Sequence, residues 1–413
     1  MEKIRFGANY IPSKNWLHCW VNWDPVSVEE DLCAAKELGV DHIRAHLLWP
    51  YFQFDAGVMN TKALEHLEEF RGICEKVKMD YCLALLDGFM SGLFFWPGFI
   101  SRRIPTPRGG VELYTDEYIV KAQEFYLRNV AAIVADSPQF IGFDLGNELS
   151  CTFGPAVTTP EDIKNCDAWA QKMLALCEEL APNKLHNNGV DHQPWFIHRG
   201  FSRKNLANTG SITPLHTYIR FTEALGKFGR MSTESLHLAP FMSELAKAYS
   251  DDLNRPLWIQ EFGTASDVWD DEMAEFVEKS IHNMYTTENL WGITWWCTNN
   301  IANDYSSYDK IEYSLGLLDV NNKPMPAGNL FKKIVDDYNK NPVAPVKRSS
   351  AMVLKLQDEE CSDYRTLVDL QWENGSKYAE YVNQGIYPAI ILPEKVNDAA
   401  YLKARGITEI LKY

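Results

Sequence analysis

Short β-branched or aromatic runs alternate with longer amphipathic stretches along most of this chain, and that alternation narrows the fold more than any other feature. A parallel strand buried on both faces reads as a continuous apolar run, and returning to the same edge takes a crossover of a dozen or more residues, usually a helix. Eight such runs can be drawn: Arg5 to Ile11, Asp41 to Trp49, Asp80 to Asp87, Phe140 to Glu148, Lys184 to Val190, Ser211 to Tyr218, Leu257 to Gly263 and Leu290 to Cys297. Between them, Ser27-Val-Glu-Glu30 reads as a capping box opening a helix through Leu38, with Gly39 as its stop. Asp116 to Ala135, Pro160 to Leu180, Pro240 to Tyr249, Asp270 to Thr286 and Asn329 to Tyr338 continue the helical pattern. The expectation is an α/β fold, a (β/α)8 TIM barrel over residues 1–340, with long loops such as Gly88 to Asp116 absorbing the excess over roughly 250 residues.

After Asn339 the texture changes. Asn341-Pro-Val-Ala-Pro-Val346 reads as a linker, and strand-like Ala351 to Leu356, Tyr364 to Trp372 and Ala389 to Leu392, with a short helix at Asn397 to Ala404, predict a small α+β annex over residues 341–413. Too short for a large core of its own, it is expected to pack on the barrel.

Charge narrows the partners. The 40 basic and 56 acidic residues leave a net −16, which disfavours nucleic acid and anionic membrane surfaces. The first ten residues have no apolar core of the signal-peptide kind, and no run of 18 uncharged apolar residues occurs. The nine cysteines are scattered without a CxxC pair, as expected of reduced thiols in a cytoplasmic protein. No GxSxG, GxxxxGK[ST] or GxGxxG sequence appears, so serine-hydrolase, nucleotide-hydrolase and dinucleotide-binding readings lose their main support. Asp191, His192 and His198 lack an HExxH or paired-carboxylate spacing, and neither a metal nor a cofactor is expected.

In a barrel of this kind the catalytic groups project from the carboxyl ends of the strands. Two expected strands place a glutamate at their carboxyl ends: Phe140-Ile-Gly-Phe-Asp-Leu-Gly-Asn-Glu148 and Leu257-Trp-Ile-Gln-Glu261-Phe-Gly263. One protonated and one ionised carboxyl group are what retaining glycoside hydrolysis uses, at a separation of about 5 to 5.5 Å against about 6.5 to 9.5 Å for inversion.

Together with His216-Thr-Tyr218 and Trp295-Trp296, these segments resemble the retaining glycosidases of clan A, and specifically glycoside hydrolase family 5. The resemblance implies that Glu148 is the acid/base, that Asn147 holds the sugar 2-hydroxyl and that Glu261 is the nucleophile. It assigns substrate contacts to Arg44 in His42-Ile-Arg44 and to His216 and Tyr218, and a sugar floor to Trp295 or Trp296. Strand alternation turns only one of that pair inward, and Trp295 is preferred. The family's usual strand-three His is missing from Leu85-Leu-Asp87-Gly-Phe-Met-Ser-Gly92, which leaves Asp87 either as a hydroxyl ligand or as a turn cap.

Phe6-Gly-Ala-Asn-Tyr-Ile-Pro-Ser13, Leu48-Trp-Pro-Tyr-Phe52 and Leu290-Trp-Gly-Ile-Thr-Trp-Trp-Cys297 with Tyr313-Ser-Leu-Gly-Leu317 are similar to a subgroup with β-mannosidase activity on mannosyl-β-1,4-N-acetylglucosamine. That implies a retaining exo-β-mannosidase with a small oligosaccharide substrate. An endo-β-1,4-mannanase or cellulase built on the same pair, and a sugar-binding barrel without catalysis, remain as alternatives. Trp96, in Phe94-Phe-Trp-Pro-Gly-Phe99, is a candidate pocket wall. Asn9, Trp49, Asn299 and Asp304 complete the set of candidate ligand contacts.

Overall fold

Seven parallel strands curl into one sheet: β1 (Arg5–Tyr10), β2 (His42–Leu48), β3 (Asp80–Asp87), β4 (Phe140–Asp144), β5 (Thr213–His216), β6 (Leu257–Phe262) and β7 (Leu290–Trp295). The computed structural model describes residues 3–104, 106–154, 157–265, 269–303 and 309–412. In space the strands run β4-β3-β2-β1-β7-β6-β5, so the first and last strands of the run pair, with Ala8 opposite Trp295.

The gap between β4 and β5 is filled by residues 184–190, which were expected to form a regular strand and do not. Leu185 and Asn187 nonetheless donate backbone N–H groups to Ile141 and Phe143 on β4, and on the other side Ser211 donates to the His186 carbonyl. The ring is thereby closed into a (β/α)8 barrel. The segment is irregular because Gly189 sits where a Cβ would lie 2.3 Å from Asp144 Oδ2, and its N–H is drawn 2.6 Å from Asp144 Oδ1. A side-chain acceptor thus takes the place of a ladder bond there.

Helices α1 (Pro25–Glu37), α2 (Thr61–Val77), α3 (Glu117–Val134), α4 (Pro160–Leu180), α5 (Leu238–Tyr249), α6 (Asp271–Met284) and α7 (Pro326–Lys340) belong to the crossovers between strands and to the closing unit. The first does not begin at Ser27. Asp24 is its N-cap, accepting from the Ser27 N–H, and Pro25 occupies the first turn, where its missing N–H costs nothing and its φ is already helical. Gly39 ends the unit at φ 89° as expected.

The C-terminal segment carries a three-stranded parallel sheet, β8 (Ser350–Val353) between β9 (Ala389–Ile391) and β10 (Glu409–Ile410), with helices α8 (Tyr364–Asn383) and α9 (Ala399–Ala404). The strand expected over Tyr364 to Trp372 is the first half of α8. Leu367, Val368, Gln371, Trp372, Asn374, Gly375, Tyr378, Ala379 and Tyr381 are its buried positions, a helical and not an alternating spacing. Met352, Leu354, Leu367, Trp372 and Ile390 belong to the same buried apolar cluster as the barrel. The Trp372 indole donates to the Thr222 carbonyl at 2.8 Å. Glu244 on α5 is fully buried and meets Arg405 at 2.8 Å, Lys247 at 3.1 Å and Arg348 at 3.3 Å. Burial alone would raise its carboxyl, but Arg348, Lys247 and Arg405 hold it down to about 2. No helix among the described residues is long and apolar enough to cross a membrane.

Candidate active site

The carboxyl ends of the strands open into a cavity of about 890 Å³, whose lining includes Asn147, Glu148, Tyr218, Glu261, Trp296 and Glu312. Its base is organised by one cation. Arg44, fully buried on β2, reaches Asp144 Oδ2 through Nε at 2.8 Å, Glu261 Oε1 at 2.8 Å, Asn9 Oδ1 at 3.0 Å and Asn147 Oδ1 at 3.1 Å. A planar guanidinium can fork to that many oxygens at once where an ammonium cannot. Arg44 touches the nucleophile candidate from beneath and does not line the cavity.

Glu148 lies just beyond β4, with φ 46° and ψ 48°. A non-glycine residue in the left-handed region stores backbone strain, which persists only where its surroundings hold it. The holding is visible. Asp144 Oδ1 accepts from the Gly146 N–H at 3.3 Å and Asp87 Oδ1 accepts from the Asn147 N–H at 2.7 Å. Asp87 is fully buried, with His46 Nδ1 2.8 Å from its other oxygen. It is therefore a clamp on the turn that carries Asn147 and Glu148, and its expected role as a sugar-hydroxyl ligand is corrected.

His216, at the end of β5, joins the two glutamates. Its Nδ1 lies 2.8 Å from Glu148 Oε1 and 3.5 Å from Glu261 Oε2, and its Nε2 lies 3.1 Å from Gln260 Oε1. Because Gln260 Nε2 donates to Asn187 Oδ1 at 3.0 Å, Gln260 Oε1 is the acceptor and His216 Nε2 carries the proton. Burial lowers the His216 pKa, so the imidazole is neutral and its Nδ1 can only accept. A protonated Glu148 satisfies it.

Glu261 is treated differently: besides Arg44, the Tyr218 hydroxyl donates to its Oε2 at 2.9 Å. Burial lifts Glu261 to about 7, with the Arg44 cation and the Tyr218 hydroxyl pulling the other way. Burial, with the negative charge of Asp191, pushes Glu148 up to about 8. Both carboxyls are thus raised, and the cation and hydroxyl donor on Glu261 favour its ionised form. One oxygen of each carboxylate and one His216 nitrogen lie within 4.8 Å of one another. Three such groups can bracket a metal ion, but the Arg44 cation at 2.8 Å opposes a second cation there.

Several expected contacts fall elsewhere. Trp295 is fully buried, its indole donating to the Leu315 carbonyl at 2.9 Å and its ring edge-on to Phe262 and Phe331. The preference for Trp295 is corrected: the side chain in the cavity wall is Trp296. Trp96 packs over Gly88, where a Cβ would meet its ring at 1.9 Å, and donates to the Pro107 carbonyl at 2.9 Å. It backs the rim, and the wall itself comes from Phe89, Met90 and Ser91 of the same loop. Asn9, Trp49 and Asn299 are buried and outside the lining, and Asp304 lies outside the described residues.

His198 turns away, its Nε2 2.9 Å from the Asp358 carbonyl. Asp191, Cys151, Glu312 and Tyr364 line the cavity and were not among the expected ligands. Asp191 had drawn attention only as part of a metal pattern, and the others carry no signal in a single sequence.

A pair of buried carboxyl groups at the mouth of a (β/α)8 barrel fits a glycoside hydrolase, and the solved structures this chain resembles make that its class. No protein-family model matches the chain, and no curated protein does either. Among solved structures, it is similar to GH5_18 from Streptomyces cattleya in complex with GlcNAc, at 30% identity and TM-score 0.90 over 99% of this chain and 98% of that one. A Glu-to-Ala variant of GH5_18 from the same organism in complex with Manb1-4GlcNAc matches at 30% identity and TM-score 0.89, with 99% and 98% covered. GH5_18 from Bifidobacterium longum subsp. infantis matches at 26% identity and TM-score 0.87, with 100% and 97% covered. The chain belongs to glycoside hydrolase family 5, in its GH5_18 subgroup.

Proposed function

We propose that the protein is a retaining exo-β-mannosidase that releases mannose from short β-1,4-mannosides such as mannosyl-β-1,4-N-acetylglucosamine. The observation that carries this reading is the approach of Glu148 and Glu261 to within 4.8 Å, oxygen to oxygen, which favours the shorter carboxyl separation of retaining enzymes over the wider one of inverting enzymes. In the first step a Glu261 oxygen attacks the anomeric carbon, the bond to the leaving oxygen breaks, and Glu148 gives that oxygen its proton. In the second step Glu148 takes a proton from water, the water oxygen attacks the same carbon, and Glu261 departs as carboxylate. Asn147, held by Arg44 on its Oδ1, directs its Nδ2 toward the Phe89 carbonyl at 3.0 Å and faces the cavity beside the reacting centre.

The shape of the cavity supports exo action. Ser91 Oγ, at the tip of the hairpin formed by residues 89–94, donates to Glu312 Oε2 at 2.9 Å. This bond joins the loop after β3 to the chain after β7, across the ends of β2 and β1. The leaving group must lie beside Glu148, so the joined side receives the far end of the terminal sugar, where a longer chain would have to continue. The complexes of similar proteins with Manb1-4GlcNAc support the choice of disaccharide. All nine cysteines are free, in keeping with a reducing cytoplasm and an imported oligosaccharide.

The decisive assay offers the purified protein mannosyl-β-1,4-N-acetylglucosamine, aryl β-mannoside, aryl β-glucoside and β-mannan. Selective release of mannose from the disaccharide is the expected result. Internal cleavage of mannan would replace the exo reading with the endo one, and inertness toward all four would leave only sugar binding.

The pH profile has a predictable shape. kcat/KM should rise as Glu261 loses its proton near 7 and fall as Glu148 loses its own near 8, a narrow bell whose limbs belong to the pair. Asp191→Asn removes a negative charge that raises Glu148, so its alkaline limb should move to lower pH while the acid limb stays. An alkaline limb unmoved by that substitution would show that Asp191 does not set the acid.

A further inference from the structure

The cavity is closed over β1 and β2, and its opposite side is finished by the C-terminal appendage. Tyr364, the first residue of α8, is the one cavity-lining residue among the described residues of 350–412. It is 40% exposed, in contrast to Trp372 eight positions on, which is buried as an anchor. An aromatic ring left that open at a cavity rim is available to a ligand.

Its position is fixed from both sides. Arg365 pairs with Glu223 at 2.7 Å and Lys227 with Asp369 at 2.9 Å, while the Tyr364 hydroxyl lies 3.4 Å from the other Glu223 oxygen. Upstream, Gln357 donates to the Phe196 carbonyl at 2.7 Å and accepts from Arg203, and His198 meets the Asp358 carbonyl. The appendage is thus fastened to the loops on either side of β5, with the ring between them.

That place is on the leaving-group side. Tyr364 shares a wall with His192 and Gln193. Gln193 Nε2 donates to Asp191, whose Oδ2 is 3.5 Å from Cys151 Sγ, and that thiol is 3.9 Å from Glu148 Oε2. A run of contacts therefore leads from Glu148 through Cys151 and Asp191 to Gln193, beside which the tyrosine stands.

We propose that Tyr364 is the stacking platform for the reducing-end pyranose, and that the C-terminal appendage is accordingly part of the substrate site and sets the preference for a sugar as leaving group. A pyranose presents a face of C–H groups that an aromatic ring covers at little entropic cost, while its hydroxyls reach the polar wall of Asp191 and Gln193. This inference rests on the proposed β-mannosidase reading, and the test separates the two.

Tyr364→Ala and Tyr364→Phe would be compared with the unmodified protein in three measurements. kcat/KM for mannosyl-β-1,4-N-acetylglucosamine should fall roughly tenfold in Tyr364→Ala, mainly through KM, and stay near the original value in Tyr364→Phe. Calorimetric binding of N-acetylglucosamine should weaken by a similar factor in the alanine variant alone. The rate of covalent inactivation by 2-deoxy-2-fluoro-β-mannosyl fluoride, whose leaving group is too small to reach Tyr364, should change less than about twofold in either variant. An equal fall in the disaccharide and inactivation rates would mean the ring serves only the fold, and no change in any measurement would remove it from the site. If the unmodified protein neither cleaves the disaccharide nor is inactivated, the β-mannosidase reading itself has failed.

Discussion

Glu261→Ala should lower mannose release by about 10⁴-fold or more, and azide should restore glycosyl transfer with a product of defined stereochemistry. Without the carboxylate, nothing is placed to attack the anomeric carbon from below. A small anion can occupy the vacated volume, and Glu148 can still protonate the departing oxygen, so attack from the Glu261 side yields α-mannosyl azide. In Glu148→Ala the nucleophile survives, and with an activated aryl leaving group the glycosyl-enzyme forms. Azide then enters from the opposite face and gives β-mannosyl azide. The two products are mirror evidence for the two roles, so exchange of the expected anomers would reverse the assignment, and absence of both would remove it. The fold should survive the first change. Arg44 keeps Asp144 at 2.8 Å and both asparagine oxygens when Glu261 is gone, which thermal unfolding of the variant can check.

The barrel strands were legible because parallel strands with helices on their outer face are buried on both sides. DYCLALLD at β3 is buried from Tyr81 onward, and a run like that needs no alternation to be recognised. The segment at 184–190 lacked the run, and its role in closing the ring rests on backbone bonds from Leu185 and Asn187 to β4 and from Ser211 to His186 that only the assembled barrel creates. Tyr364 to Trp372 was misread because Tyr, Thr, Leu and Val in a short window suit a strand, while the deciding positions, Tyr378 and Ala379, lie beyond it.

The site divides along similar lines. Glu148 and Glu261 stand at strand ends, where position in the chain translates directly into position at the barrel mouth. Arg44 was assigned by the resemblance alone, and its reach to Asp144 was not legible, since that pairing spans two strands and appears only with their register. The choice between Trp295 and Trp296 turned on where β7 ends. With Trp295 as its last residue, the side chain packs outward against Phe331 of α7, and the next residue enters the cavity. Residues such as Asp191, Glu312 and Tyr364 come together from distant stretches, and one sequence carries no record of those distances.

Arg44→Met should destabilise the fold by about 3 to 5 kcal/mol, the usual consequence of removing one partner from a buried ion pair. Asp144 is fully buried and already raised by burial against the pull of Arg44. Without the guanidinium, its carboxyl must take up a proton to remain inside, and its pKa in the folded state climbs further above the unfolded value. A carboxyl whose folded pKa is raised stabilises the fold at low pH and loses that contribution as pH rises through the folded value. The melting temperature of the variant should therefore trail that of the parent most at pH 8, and the gap should narrow toward pH 5. The same substitution takes a cation from Glu261 and from Glu148 alike, so both limbs of kcat/KM should move to higher pH. Arg44→Lys keeps a charge but cannot span Asp144, Glu261, Asn9 and Asn147 together. It should recover stability in larger measure than activity. A pH-independent gap in melting temperature, or a methionine variant as stable as the parent at pH 8, would show that Arg44 is not what holds the buried carboxylates in place.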